Sequence, residues 1–446
     1  MRVLYDVSHQ GYAARVRGGR RGIYRATEEF LLHAADEPRL DFRLLAGESR
    51  TAELNLRYYA AAADLAVAGR IVPIGRPAGE LSAVLERVLF GAGRRLRPLF
   101  GDRSRIWNLF AAGPKRLVNR GGRPAVPANT IDIFHSLFAP LPPPGRSKAR
   151  VDILTIWDLL PLTMPEHFPN APVRRAVARA AQSLMQAGGH AICTAAAVKS
   201  DLVNQIGIDP DRVHVIPLAA SDALFHPVQD PTLIAAARRK YGVPPGEYLL
   251  SLSAIDSRKN LPQLVRCFRR LQSETATPAA SLVIAGEYTE RHRAPLAEVE
   301  ASSAGHGRIV FTGRVADQDL AALYSGARAF VFPSLGEGFG LPPLEAMQCG
   351  TPVICSTAPA LPEVTGDAAL GFAPHDTTAF VAALRAILTN DALAADLGQR
   401  GRRRAAMYSW RRTVDETITV YERLLAEAAS RANASPAEAG STRPRA

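Results

Sequence analysis

Short runs of apolar, β-rich residues recur along this 446-residue chain, and amphipathic stretches of helical period lie between them. Strands that are apolar along their whole length, separated by helices, are the pattern of parallel sheets covered on both faces. The candidate strands form two series. The first is Arg2–Val7, Ile131–Ser136, Asp152–Trp157, His190–Thr194 and Val213–Pro217. The second is Tyr248–Ser253, Ser281–Ala285, Ile309–Thr312, Ala329–Pro333 and Pro352–Ser356. Helical patterns cover Ile23–Ala34, Val173–Gln186, Leu261–Leu271 and Asp317–Tyr324. A polar segment holding Pro227, Pro231, Pro244 and Pro245 separates the series. The expected fold class is therefore α/β, with two doubly wound Rossmann-like domains facing across a cleft: residues 1–220, a linker at 221–246, and residues 247–407. Ligands of such sheets bind beyond the carboxyl ends of the strands, so facing sheets create one deep site. Residues 427–446 are small and polar and are expected to be a disordered tail.

Composition narrows the class. Apolar residues make up 47% and charged residues 22%, which excludes a mostly disordered chain. No run approaches the roughly 18 apolar residues of a membrane-spanning helix. The start, Met1–Gln10, lacks the pattern of a signal peptide and reads as a buried strand. Cys193, Cys267, Cys349 and Cys355 stand singly, which argues against a zinc site and a disulfide framework and fits a reducing cytosol. The net charge of +12 lies wholly in the first 200 residues, with 29 Lys and Arg against 16 Asp and Glu. It is densest from Arg87 to Arg150, where Leu99, Phe100, Trp107, Leu109 and Phe110 are interspersed. A solvated basic surface, an anionic acceptor and an anionic membrane surface all fit. Specific nucleic-acid binding is not expected, because no such motif is present.

Four segments can carry chemistry. In Gly336–Gly350 (GEGFGLPPLEAMQCG) a strand feeds a glycine loop, and a helix opens at Pro342 and Pro343. Glycines let backbone N–H groups approach a ligand, prolines suit a first helical turn, and exposed N–H groups there favour an anion. Glu337 and Glu345 flank this turn, and each carboxylate can accept two hydroxyl donors of a vicinal diol. In Ser251–Leu261 (SLSAIDSRKNL), Arg258 and Lys259 stand at the carboxyl edge of the sheet as a fork and a point cation, suited to a diphosphate. Arg17–Arg25 (RGGRRGIYR) is a glycine loop before a helix, where an anion or sugar could rest. His135 and Asp158 lie at strand ends facing the cleft. Plain alternatives stand beside each reading: tight turns, a solvated cation pair, a structural histidine, and an aspartate capping the next segment. No H-E-x-x-H, G-x-S-x-G or clustered ligand set is present, so metal and serine hydrolases lack support.

Taken together, these residues resemble family 4 glycosyltransferases of the GT-B fold, in the bacterial mannosyltransferase-like group. GEGFGLPPLEAMQCGTPVICS (Gly336–Ser356) is similar to the E-x7-E signature of that family. ALPEVTGDAALGF, SRKNL, IVFTGRVADQDLAALY, RRGIYR, IDIFHS and TIWDLLPL continue the resemblance, and YSWRRTVDETITVYERLL (Tyr408–Leu425) resembles the closing helix that returns to the N-terminal domain. The resemblance implies a retaining hexosyltransferase using a GDP- or UDP-linked sugar, with no metal or resident cofactor. The acceptor would be a saccharide or a lipid-linked glycan of surface polysaccharide or lipopolysaccharide synthesis. The place implied is the cytoplasm, peripheral on the inner membrane face. Catalysis would fall to Glu337, Lys259, Arg258, Asp158 and His135. Donor binding would fall to Glu345 on the ribose, Gly338, Phe339, Gly340 and Leu341 at the sugar, Arg314 at the base, and Ser253 and Gly22 near the phosphates. Two departures stand out. Many relatives have a histidine where this chain has Trp157, a role then either dispensable or taken by His135, and an arginine where it has Ser253, for which Arg258 beside Lys259 is the candidate substitute. The competing reading is a catalytically silent sugar-nucleotide-binding scaffold, which Trp157 would favour.

Overall fold

The computed structural model describes residues 1–8, 22–45, 69–72, 130–252, 256–273, 279–286 and 308–434. Ser253 and the basic, aromatic-dotted stretch from 87 to 129 lie outside them, as do residues 17–21 of the glycine segment Arg17–Arg25.

Two parallel six-stranded sheets form the molecule. The N-terminal sheet contains β1 (Arg2–Asp6), β2 (Asp41–Leu45), β3 (Ile133–Ser136), β4 (Val151–Ile156), β5 (His190–Cys193) and β6 (Val213–Val215), in the order β2-β1-β3-β4-β5-β6. The C-terminal sheet contains β7 (Glu247–Leu252), β8 (Ala280–Ala285), β9 (Ile309–Gly313), β10 (Ala329–Phe332), β11 (Val353–Ser356) and β12 (Ala369–Phe372), in the order β12-β11-β10-β7-β8-β9. Inner strands are buried along most of their length, as two-sided coverage by helices requires; Tyr248, Leu249 and Leu250 of β7 are fully enclosed. In each sheet the chain runs outward in both directions from its first strand. The crevices therefore open between β1 and β3 and between β7 and β10, where the connections part to opposite sides. The segments of chemical interest follow β7 and β10 in one sheet and β1 in the other.

The helix Trp410–Ala434 returns to the N-terminal sheet. Thr413 donates to the Pro217 carbonyl at 2.8 Å, Arg423 reaches His214 Nδ1 at 2.9 Å, and Tyr421 hydrogen-bonds His135 and, at 3.3 Å, Tyr5. Two expectations need correction here. The tail does not begin at residue 427: the helix continues to Ala434, through alanine-rich sequence with Arg423–Glu427 and Glu427–Arg431 pairs at helical spacing. The segment 221–246 is not a bare linker either. It contains the helix Pro231–Lys240, with Asp230 as its N-cap and Pro231 at its first position, where proline is favoured. Lys240 and Tyr241 tie it to Asp319 on the helix Asp317–Ser325, each at 2.6 Å.

Candidate functional site

The turn after β7 and the loop after β10 are neighbours because their strands pair directly. Asp256 opens the turn by accepting from the Arg258 N–H at 3.1 Å, and Asn260 ends it in the left-handed region at φ 54°. The two loops are then joined: Leu335 N–H donates to the Arg258 carbonyl at 2.8 Å, and Arg258 Nη1 donates to the Gly336 carbonyl at 2.6 Å.

This joining places Glu337 between both cations. Its Oε1 accepts from Lys259 Nζ at 2.6 Å and from the Ser334 hydroxyl at 2.6 Å, and its Oε2 lies 2.7 Å from Arg258 Nη1. Arg258, Lys259 and Glu337 are 14%, 12% and 10% exposed, so the cluster is largely shielded from water yet reachable. Burial opposes ionisation of Glu337, but Lys259, Arg258 and the Ser334 hydroxyl prevail and hold its carboxyl at about 2. Arg258 also binds Asp256 Oδ2 at 2.9 Å, and Lys259 stands 4.6 Å above the Phe332 ring. The fork and the point cation thus sit side by side, fixed before any ligand arrives.

The glycine loop faces the other domain. A Cβ on Gly338 would stand 2.2 Å from the Trp157 carbonyl oxygen, and one on Gly336 would stand 2.7 Å from Met164 Sδ. The Gly338 carbonyl accepts from the Thr194 hydroxyl at 2.7 Å. Phe339 is buried edge-on to Tyr408, and Gly340 at φ 117° precedes the helix Leu341–Gln348. Glu345 on that helix is 2% exposed. It pairs with Arg25, which comes from the helix Ile23–Ala35 after β1, and it accepts from Tyr324 Oη at 3.2 Å. Burial pushes the Glu345 carboxyl up, against the pull of Arg25.

A cavity lies between the halves, lined by Gly22 and Arg25 on one side and Lys259, Gly286, Val315 and Glu345 on the other. A second cavity reaches Glu337 and is lined by Asp158, Thr163 and Asp201 opposite Gly336 and Pro359. Asp158 combines two of its readings. Its Oδ1 caps the next turn through Leu160 N–H at 3.0 Å, while its carboxyl, raised by burial, feels the charges of Arg258 and Glu337. Arg314 is exposed beside Val315, and Leu341 is half-buried at the helix start.

His135 does not fill the role expected of it. It is 2% exposed, and both ring nitrogens are engaged, one by Tyr421 and the other by the Thr155 hydroxyl at 2.8 Å. Burial lowers its pKa to about 3, so the ring stays neutral and knits β3 to β4 and the closing helix. It therefore does not take the place of the histidine that the family resemblance implies at position 157. Trp157 itself turns its indole N–H to the Leu137 carbonyl at 2.6 Å.

Several contributors escape sequence reasoning. Glu363 accepts from the N–H groups of Ala196 and Ala197 at 2.6 and 2.8 Å, joining the C-terminal half to the N-terminal half. Arg25, Thr194 and Ser334 complete the contacts of Glu345, Gly338 and Glu337. Only Arg25 had a signal, its place in the glycine segment before a helix. Among the described residues, no three His, Cys, Asp or Glu side chains gather as metal ligands, and no single helix is long and apolar enough to cross a membrane.

Comparison with known proteins fits this geometry. The family model described as "Glycosyl transferases group 1" matches residues 234–404, the span that carries both loops and both glutamates. An O-antigen chain mannosyltransferase B of Escherichia coli is 33% identical over 273 residues, 61% of this chain and 70% of the relative. A serotype-specific mannosyltransferase, WbdA, of Escherichia coli is 30% identical over 268 residues, 60% of this chain but only 33% of the relative, so the chain spans about a third of that protein. The sucrose-phosphate synthase of Thermosynechococcus elongatus superposes with a TM-score of 0.60 at 19% identity, over 96% of this chain and 100% of that one, which bears on the fold alone. With one relative matched across most of its length and the family model lying over the paired loops, the chain belongs to the group 1 glycosyltransferases and has their GT-B fold.

Proposed function

We propose that this protein transfers a mannosyl residue from a nucleoside diphosphate sugar to a saccharide or lipid-linked acceptor in surface-polysaccharide synthesis, with retention of configuration and without a metal. The observation that carries this reading is the prebuilt cluster of Arg258 and Lys259 on Glu337, beside a cavity shared with Glu345. Cleaving a glycosyl phosphate builds negative charge on the departing diphosphate. Two fixed cations and the start of the helix Leu341–Gln348 oppose that charge in a water-poor site, where such stabilisation is strongest. Glu345 would take the ribose hydroxyls and Glu337 those of the transferred sugar. The acceptor oxygen bonds to the anomeric carbon as the carbon–oxygen bond to phosphate breaks, and the acceptor proton passes to the departing phosphate oxygen. The mannosyl preference is supported by what the relatives named above are called. The basic N-terminal half suits an acceptor presented at the inner face of the cell membrane.

The test is a radiolabel transfer assay with GDP-mannose against UDP- and dTDP-sugars. Product from GDP-mannose is expected, retained in chelator, with the anomeric configuration of the donor. Turnover with none of these donors would contradict the activity, and inversion or loss in chelator would contradict the mechanism. Flotation with anionic but not neutral liposomes is expected of the full chain; equal, negligible binding to both would remove the membrane placement.

A further inference from the structure

Arg25 raises a question of charge. It lies in the first turn of the helix Ile23–Ala35, three residues after Gly22, which has φ 55° and lines the cavity with it. Its side chain is 14% exposed, its guanidinium carbon lies 5.1 Å from the Phe225 ring centroid, and Glu345 is its carboxylate partner. It lines the same cavity as Lys259. A guanidinium this far from water needs an anion, and removing that anion is costly.

Glu345 cannot serve two claims equally. A carboxylate offers about four acceptor positions, and Tyr324 already uses Oε2. A ribose diol seated on Glu345 competes with Arg25 for the remainder. A ligand bringing only the diol would leave Arg25 without its direct carboxylate partner, with Asp317 across the same cavity as the remaining negative charge. A ligand bringing both diol and diphosphate exchanges one anion for another.

We propose that Arg25 is a diphosphate-binding residue supplied by the N-terminal half: when donor enters, its guanidinium passes from Glu345 to the phosphate oxygens beside Lys259. This rests on reading the site as one for a sugar nucleotide. The exchange makes Arg25 a gauge of whether the diphosphate is present, since each half of the molecule then holds it. It involves no covalent step.

Calorimetry with GDP, UDP, GMP and UMP on the wild type, Arg25→Gln and Arg25→Lys tests it, with melting temperatures measured alongside. The expected result for Arg25→Gln is diphosphate binding weakened by about tenfold or more, in keeping with a lost charge-assisted contact. Monophosphate binding should change far less, because Glu345 is released to the ribose. Arg25→Lys should retain part of the diphosphate preference. An unchanged ratio of diphosphate to monophosphate affinity, or equal weakening of both, would overturn the assignment and leave Arg25 as a structural partner of Glu345. A wild-type protein that binds none of the four overturns the sugar-nucleotide reading, and this inference with it.

Discussion

Lys259→Ala is expected to lower transfer turnover by about 10²–10³-fold, the cost of losing one fixed donor to a developing anion. The protein should remain folded, because Glu337 would keep Arg258 at 2.7 Å and the Ser334 hydroxyl at 2.6 Å as partners. Glu337→Ala should differ in kind. It strands two shielded cations, with Asp256 left on Arg258 alone, and uncompensated buried charge of this sort costs about 3–5 kcal/mol. Turnover assays paired with thermal denaturation separate the two: Lys259→Ala should lose rate at a nearly native melting temperature, and Glu337→Ala should lose both. Undiminished turnover in Lys259→Ala would remove the cation from the mechanism.

Gly338→Ala carries the second large effect. The added methyl would meet the Trp157 carbonyl oxygen at 2.2 Å and Asp158 Cβ at 2.9 Å. The first obstacle is the backbone of the opposite domain, so no side-chain rotation relieves it. The two halves must part, and the Thr194 hydrogen bond to the Gly338 carbonyl goes with them. Displacement of reacting groups by about an ångström costs on the order of 100-fold in rate. Both domain cores are untouched, so melting should fall little while kcat falls steeply. A variant with native turnover would mean that this close approach is not needed for transfer.

How much of this could be read from the chain varies by element. The inner strands were legible because burial on both faces leaves continuous apolar runs such as YLLSL and SLVIA. The edge strands β2 and β12 give no such run: DFRLL alternates exposed and buried positions, and ALGF is four residues long and largely half-exposed. In 221–246 the prolines suggest a linker, yet Pro231 begins a helix rather than interrupting one. Within the site, the local motifs were legible because glycine, proline, paired cations and spaced glutamates constrain the backbone on their own. What joins them was not. Arg25 meets Glu345 across 320 residues, Thr194 meets Gly338 across 144, and Glu363 meets Ala196 across 167. Such contacts exist only once the two sheets face each other. His135 shows the converse: its strand-end position suggested the cleft, but a tyrosine 286 residues away on the closing helix fixes the ring inside the N-terminal domain.

One interdomain site is expected to grip pyrophosphate and polyol together. A structure of the protein with GDP or UDP bound tests it most directly. Phosphate oxygens should lie within hydrogen-bonding distance of Lys259 Nζ and the Arg258 guanidinium, with the ribose hydroxyls on Glu345. A nucleotide seated elsewhere, with Lys259 and Arg258 still closed on Glu337 and no phosphate near them, would contradict it.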